Sequence, residues 1–413
     1  IISELDLFLP GNWHWKPALW LQQNNREIGP SVSEIHADAL QKDKSLRIVN
    51  SFSKSTTNSE IEFSHAYAFQ RLNYESKLMG IDSRNAVHEN FFQARFNQKF
   101  GRFQVGLQGF QTISKAVSTN FTGNPEQWKS EILGKTTIEV IPEKFQVRAQ
   151  LHSVFFTHSE ISNSGYFLLP SIQLECRQAS SGTFSMGIFR KARVPGLNDL
   201  FWQNAGNSSL KCENGWSADF NWDKEIRISN GLAISNKSSA FISKIEDFIQ
   251  WVPVSGIWMP HNLATVEIQG FSLSPTLAWN QSALTVQTIS QIQFTQSLQT
   301  RSRFKGDLSV GNQLMYIPKW NSVLGLKTRF GKWEALFWVE KTGIRYTDPA
   351  NESALPSYSI WNARVGFESK IKSKLMVKTF VEGLNLTGRS YQSVKGFPMP
   401  LHQFQFSIIL SYQ

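Results

Sequence analysis

In NFFQARFNQKFGRFQVGLQGF, Asn90 to Phe110, apolar and polar residues take turns. Phe92, Ala94, Phe96 and Phe100 alternate with Gln93, Arg95, Asn97 and Lys99. After Gly101 the pattern restarts, with Phe103, Val105 and Leu107 set against Arg102, Gln104 and Gln108. A period of two predicts β-strands with one apolar and one polar face, joined by a tight turn at Gly101. Alternation alone does not say which face is wet. A soluble sandwich turns its apolar face inward, whereas an outer-membrane barrel turns it outward to lipid and lines its lumen with the polar one.

Composition leans toward lipid. Of 413 residues 13% are aromatic, with 31 Phe and 14 Trp, and only 18% are charged, against about a quarter in ordinary soluble domains. The net charge of +10 would suit a nucleic-acid binder. The basic residues are instead spread singly through the strands with no cluster of five or more, so nucleic acid is not an expected partner. A positive surface of this kind would attract anionic ligands or headgroups. No apolar run reaches the 18 residues of a transmembrane helix. The two cysteines, Cys176 and Cys212, lie in separate segments and read as isolated thiols, with one disulfide between them the lesser alternative. The sequence starts at Ile1 without a signal peptide, so processing or truncation is expected to have removed what preceded it.

About nineteen strand candidates of roughly 9 to 15 residues follow one another, a length matched to tilted membrane-spanning strands, and none reads as a helix. The clearest run near 60–71, 92–100, 102–114, 130–141, 144–156, 183–189, 263–278, 284–294, 332–341, 358–368 and 374–384. In KFQVRAQLH, Phe145, Val147, Ala149 and Leu151 oppose Gln146, Arg148, Gln150 and His152. Short connections (142–144, 330–332, 370–374) alternate with longer polar ones (115–129, 348–357). That is the asymmetry of short periplasmic turns and long extracellular loops. At the C-terminus Phe404, Phe406, Ile408, Leu410 and Tyr412 share one face, the pattern expected of an outer-membrane assembly signal. Together these features favour lipid outside and water inside, with Arg95, Arg148 and Arg364 expected to face the lumen.

No catalytic constellation is present. Ser and His are scattered, there is no G-x-S-x-G, and the neighbouring carboxylates Glu246 and Asp247 are expected on opposite faces of a strand. His14, in Trp13–His14–Trp15, suits an interfacial aromatic belt better than a metal. His152 and His158 share a face but stand ~20 Å apart, too far for one ion. No metal, cofactor or enzymatic activity is expected.

Ordered motifs carry a resemblance. FRKARVPGLNDLFWQNAGNSSLKCENG, Phe189 to Gly215, resembles the barrel motif of TonB-dependent outer-membrane receptors through Arg193, Pro195, Leu197, Leu200, Phe201, Gly206, Asn207, Leu210 and Glu213. Ile249, Trp251, Asn262 and Gly270 match the next landmark, followed by YIPKWN, GIRYTD, LPSY and a last block with Asn385, Tyr391, Pro398, Met399 and Pro400. The chain departs from the pattern at Cys212, where proline is usual, at Ser272 after Phe271, where glutamate is common, and at Leu401 and His402, which replace Gly-Arg.

The resemblance implies an all-β fold: an antiparallel transmembrane β-barrel of the 22-stranded receptor type, incomplete here at about nineteen strands and without a plug. Residues 1–413 would then be one barrel domain in the outer membrane of a Gram-negative bacterium. It further implies active import of a scarce ligand, such as an iron-siderophore or cobalamin. The implied partners are outer-membrane lipid, the barrel assembly machinery, a small-molecule ligand, and a plug domain coupled to an inner-membrane energy complex. Arg193, Pro195, Asn207 and Glu213 would contact the plug or support their loop; no substrate-binding residue can be named. A plugless porin or adhesin barrel, and a soluble all-β binding protein, stay open as alternatives.

Overall fold

The computed structural model describes residues 2–28, 38–78, 80–161, 163–254, 257–302, 305–372 and 375–412. Twenty strand segments form one sheet, and every register resolved in it is antiparallel. The first two segments, Ile2–Glu4 and Leu7–Leu9, both pair with Trp13–Ile28, the one opposite Ala18 to Trp20 and the other opposite Trp13 to Trp15. They are halves of one interrupted strand, so nineteen strands are described. Among the described residues no helix is long and apolar enough to cross a membrane, which says nothing against strands doing so.

The chain divides into two compact units. One comprises Ile1–Cys176, Gly187–Ala218 and Lys244–Thr265; the other comprises Arg177–Met186, Asp219–Ser243 and Val266–Gln413. In the first, each strand from Trp13–Ile28 through Ala39–Ser55, Ser59–Ser76, Ile81–Phe100, Phe103–Ser118, Glu126–Ile141 and Phe145–His158 to Ser164–Gln178 pairs with the next. In the second the same order runs through Leu284–Arg301, Trp320–Phe330, Trp333–Thr342, Tyr358–Lys372, Leu375–Leu384 and Gln403–Tyr412. Within each unit some of the turns are minimal. Gly101 and Gly331, at φ 56° and 57°, close two-residue hairpins, and the left-handed Glu143 closes Pro142 to Lys144.

Directly opposed residues share a face, so the register sorts every side chain. Phe96, Leu107 and Phe155 lie on the apolar face, where they remain 42%, 54% and 53% exposed. Dozens of large apolar side chains are exposed like this along the strands, far beyond the patches a water-soluble monomer tolerates. The opposite face is polar and paired. Arg95 bridges Glu60 (3.2 Å) and Glu62, and Asn97 donates to Glu60 (3.0 Å). Arg148 donates to Gln173 (2.8 Å), and Glu334 holds both Lys327 (3.1 Å) and Arg364 (3.6 Å).

Several expectations need correction. The connection expected over 115–129 shrinks to 119–125, because the strands Phe103–Ser118 and Glu126–Ile141 continue beyond their apolar stretches. Leu197–Phe201 is a helical turn where no helix was expected. Asp247, at φ 55°, breaks the alternation assumed for Glu246 and Asp247, and its carbonyl accepts from Asn262 (2.7 Å). In the connection expected over 370–374, residues 370–372 belong to a strand, and Ser373 and Lys374 lie outside the described residues.

The exposed apolar face gives a direct test. Val147→Arg would place a charge in the middle of that face and should hinder assembly by about 2 to 4 kcal/mol, whereas Gln146→Arg should be mild. Heat-modifiable gel mobility of both variants in membranes checks this, and equal behaviour would refute the assignment of faces.

Candidate functional site

The connection between the strands Gly182–Arg193 and Glu213–Arg227 is folded around two carboxylates. Pro195 and Gly196 stop the strand, and Leu197–Phe201 turns once as a helix with Leu200 N–H donating to Gly196 O (3.2 Å). Asp199, three residues past Gly196, accepts the Gly196 N–H (3.0 Å), which fixes the start of the turn as a cap would. Its other oxygen accepts from Trp251 Nε1 (2.9 Å).

Arg193 joins the pair: Nη1 donates to Asp199 (3.3 Å) and Nη2 to Glu213 (2.6 Å). Glu213 is buried and also accepts the Ile249 N–H (2.8 Å). The Arg193 side chain is 45% exposed while both carboxylates are largely covered, so the cation caps a polar pair that water reaches poorly. Beneath this network Leu200, Phe201, Leu210 and Ile249 form a small apolar core, with Phe121, Ile161 and Leu197 packed against it.

The remaining motif residues pin the same connection. Pro195 is fully buried, and its carbonyl accepts from Gln127 (3.2 Å). Asn207 donates to Pro260 O (3.1 Å) and accepts from Ser209 N–H (3.1 Å). Asn262 holds Lys211 at both its N–H (2.8 Å) and its carbonyl (2.9 Å). Gly206 is required where it stands, because a Cβ there would meet Trp202 N at 2.6 Å. Burial pushes the Cys212 thiol up to about 11, despite the nearby Arg193, so it stays neutral and unreactive at ordinary pH. Cys176 is also a free thiol.

Arg193 and Glu213 are thus bonded to each other, whereas Pro195 and Asn207 pin the same connection through Gln127 and Pro260. Arg95, Arg148 and Arg364 stand apart from it, along the polar face. Phe404, Phe406, Ile408 and Leu410 project from the last strand, all more than half exposed, while the Tyr412 side chain lies outside the described residues. His152 pairs with Glu131 (2.8 Å), but His158 is buried between Gln127 and Phe201. Among the described residues no group of His, Cys, Asp and Glu could hold a metal ion.

Beside the network opens a pocket of about 480 Å3, with Val154, Phe167, Leu169 and Ile245 in its wall alongside Glu131, His152 and Arg193. Lys129, Arg190, Lys191 and Glu213 also line it, and such a mixture of apolar and charged side chains, at this size, suits a small polar organic ligand.

Sequence reading missed Asp199. Its position three residues after a Pro-Gly chain break was the available signal. It also missed Arg345 in the second unit, which is buried over the Tyr358 ring (4.8 Å) and donates to Pro356 O (3.0 Å) and Gln392 O (2.8 Å). Arg345 ties two long connections together. Asn385 does the same within the last connection, donating to Arg389 O (2.8 Å) and Pro400 O (3.2 Å).

Glu213→Ala would leave the buried Ile249 N–H without its acceptor and Arg193 with Asp199 as its one remaining carboxylate, at a cost of about 1 to 3 kcal/mol. The expected result is faster tryptic cleavage at Lys211 with the strands intact. Cleavage at the unaltered rate would show that the carboxylate does not hold the connection.

Known proteins bear on this architecture in three ways. A family model described as TonB dependent receptor-like, beta-barrel matches residues 13–386. Two curated relatives are vitamin B12 transporters BtuB. That of Vibrio vulnificus is 28% identical over 162 residues, 38% of this chain and 24% of the relative. That of Photobacterium profundum is 34% identical over 92 residues, 21% of this chain and 14% of the relative. The matched regions therefore span a quarter or less of those proteins. Among solved structures, the siderophore receptor PiuA from Acinetobacter baumannii superimposes with a TM-score of 0.71 at 14% identity, covering 99% of this chain and 73% of that one. The Serratia marcescens hemophore receptor HasR gives 0.72 at 12%, covering 100% and 71%. At such identities the structures speak for the fold alone. Because the family model spans nearly the whole chain, on a sheet with one exposed apolar face and one ion-paired face, the chain belongs to the TonB-dependent receptor-like β-barrel family.

Proposed function

We propose that this chain is barrel sequence of an outer-membrane receptor that actively imports a scarce ligand in a Gram-negative bacterium. The observation that carries the proposal is the division of the sheet into an exposed apolar face and a polar face whose charges pair across strands. Lipid satisfies the first and water the second. In this reading the plug domain and about three further strands lie outside the sequence given, and the plug is pulled by an inner-membrane energy complex. The protein supplies binding and a gated route, without covalent chemistry.

Arg193, Pro195, Asn207 and Glu213 support their connection, an assignment that agrees with the Arg193–Glu213 pair and with the bonds of Pro195 to Gln127 and of Asn207 to Pro260. The exposed row Phe404, Phe406, Ile408 and Leu410 fits an assembly signal read by the barrel assembly machinery. The amphipathic pocket beside Arg193 is suited to hold part of a ligand. Because the sequence relatives are vitamin B12 transporters, cobalamin is the first ligand to test, with iron-siderophores second.

The full-length protein, expressed in cells lacking their own cobalamin receptor, should restore uptake of labelled cyanocobalamin, and an uncoupler should abolish it. Restoration of ferric-siderophore uptake instead would change the ligand only. Uptake that persists without energy would refute the receptor reading and favour a plugless porin.

Arg95, Arg148 and Arg364 should project into the lumen, since an arginine aimed at the bilayer midplane costs about 2 to 4 kcal/mol. Cysteines at 95, 148 and 364 in the full-length protein should react with a small charged thiol reagent in whole cells. Labelling by a lipid-soluble reagent alone, at two or more sites, would overturn the wet-face assignment.

A further inference from the structure

We propose that the apolar-faced side of the first unit carries a docking site for the phosphate groups of an anionic lipid, built by Lys42, Lys44, Arg71 and Arg84. The proposal rests on the outer-membrane reading above. Register places these cations in successive rows beyond the apolar band. One row is Leu21, Leu46, Phe69 and His88. The next toward the long-connection end is Gln23, Lys44, Arg71 and Ala86, and the one after it is Asn25, Lys42, Asn73 and Arg84. Rows on one face are about 6.6 Å apart, so all four cations stand within headgroup distance of the last apolar row.

Lys44 lies directly opposite Arg71, an arrangement of like charges that costs stability in a sheet. Both are exposed, and among the described residues the Arg71 guanidinium bonds Asn73 Oδ1 (3.2 Å) alone. Among the described residues Lys42, Lys44 and Arg71 form no ion pair. Asp43 points to the opposite face, where it pairs with Arg26 (2.9 Å). On the four strands that carry the cations, the carboxylates of the same face, Glu27, Glu75 and Asp82, stand one row farther from the apolar band, and of these Asp82 pairs with Arg84 (2.7 Å); two strands on, Glu126 shares the face in the row of His88, paired with Lys115 (2.7 Å).

Below the cations an aromatic girdle marks the interface. Tyr67 OH bonds His88 Nδ1 (2.9 Å), and the Phe69 and His88 rings lie 4.8 Å apart. Lys and Arg stems can lie along the apolar band while their heads reach the headgroup level. A doubly charged phosphate between Lys44 and Arg71 converts their repulsion into two charge-assisted contacts. Continuity with the lipid-facing band, and cations nearer to it than the carboxylates of their own four strands, commit the site to a lipid in preference to a soluble anion.

Native mass spectrometry of the full-length protein in detergent, titrated with a diphosphorylated glucosamine lipid or its dephosphorylated form, tests this. The wild type should retain the phosphorylated form selectively. Removing two cations in K44Q/R71Q should reduce retention about tenfold or more. K54Q, which alters a cation beside Trp13 at the other end of the same strand, should leave it unchanged. Without lipid, K44Q/R71Q should unfold at a higher temperature than the wild type, because the repulsion is gone; this also verifies that the variant folds. Equal retention of both lipids by the membrane-extracted wild type, or undiminished retention by K44Q/R71Q, would overturn the site alone. A wild type found in the aqueous fraction without detergent would overturn the outer-membrane reading itself.

Discussion

A strand offers two faces that cannot trade places without moving every side chain, and that parity governs the rest of this structure. Arg95 meets Glu62 directly across the ladder, while Ala94 meets Phe63. A slip of one residue would put Arg95 among phenylalanines and Phe96 among carboxylates, a penalty repeated along every strand. Satisfied backbone groups are a second demand of lipid, and the ladder meets it because each strand bonds its sequence neighbour. Minimal turns such as Gly101–Arg102 leave no slack for an alternative register.

Where the strands leave the apolar band, the parity rule weakens and a different kind of interaction takes over. The connection after Arg193 is too long to be fixed by a hairpin turn. Asp199 and Glu213 instead collect donors from Gly196, Trp251, Arg193 and Ile249, residues drawn from separate stretches of chain. Such a network is all-or-none in character, since each carboxylate is tolerated in its covered position only while its donors remain. The small core under it then makes the connection a wall of the neighbouring pocket and not a loose flap.

The same division explains what could be read from sequence. Strands such as Phe145–His158 announced themselves because lipid on one side and water on the other impose a period of two. Beyond the band both faces are wet and the period fades, which is why Phe103–Ser118 and Glu126–Ile141 extend past their expected ends. A five-residue helix, Leu197–Phe201, is too short to display a 3.6 period. The bond from Trp251 to Asp199 spans 52 residues and has no local signature. Motif order pointed to the right residues around Arg193 without revealing what they touch.

Charge distribution adds a last constraint on how a ligand would be recognised. The chain carries +10, yet the cations of the polar face are largely matched where they stand. Arg95 has two glutamates, Lys129 and His152 share Glu131, Lys327 and Arg364 share Glu334, and Arg329 and Lys378 share Glu368. Cations held this close to carboxylates exert a weaker field at a distance than unpaired ones would, so gross charge is a blunt means of selection. Discrimination then falls to short-range features, the shape and lining of recesses such as the one beside Arg193. Lys42, Lys44 and Arg71, which form no ion pair among the described residues, lie on the other face of the sheet, where they bear on the surroundings of the protein.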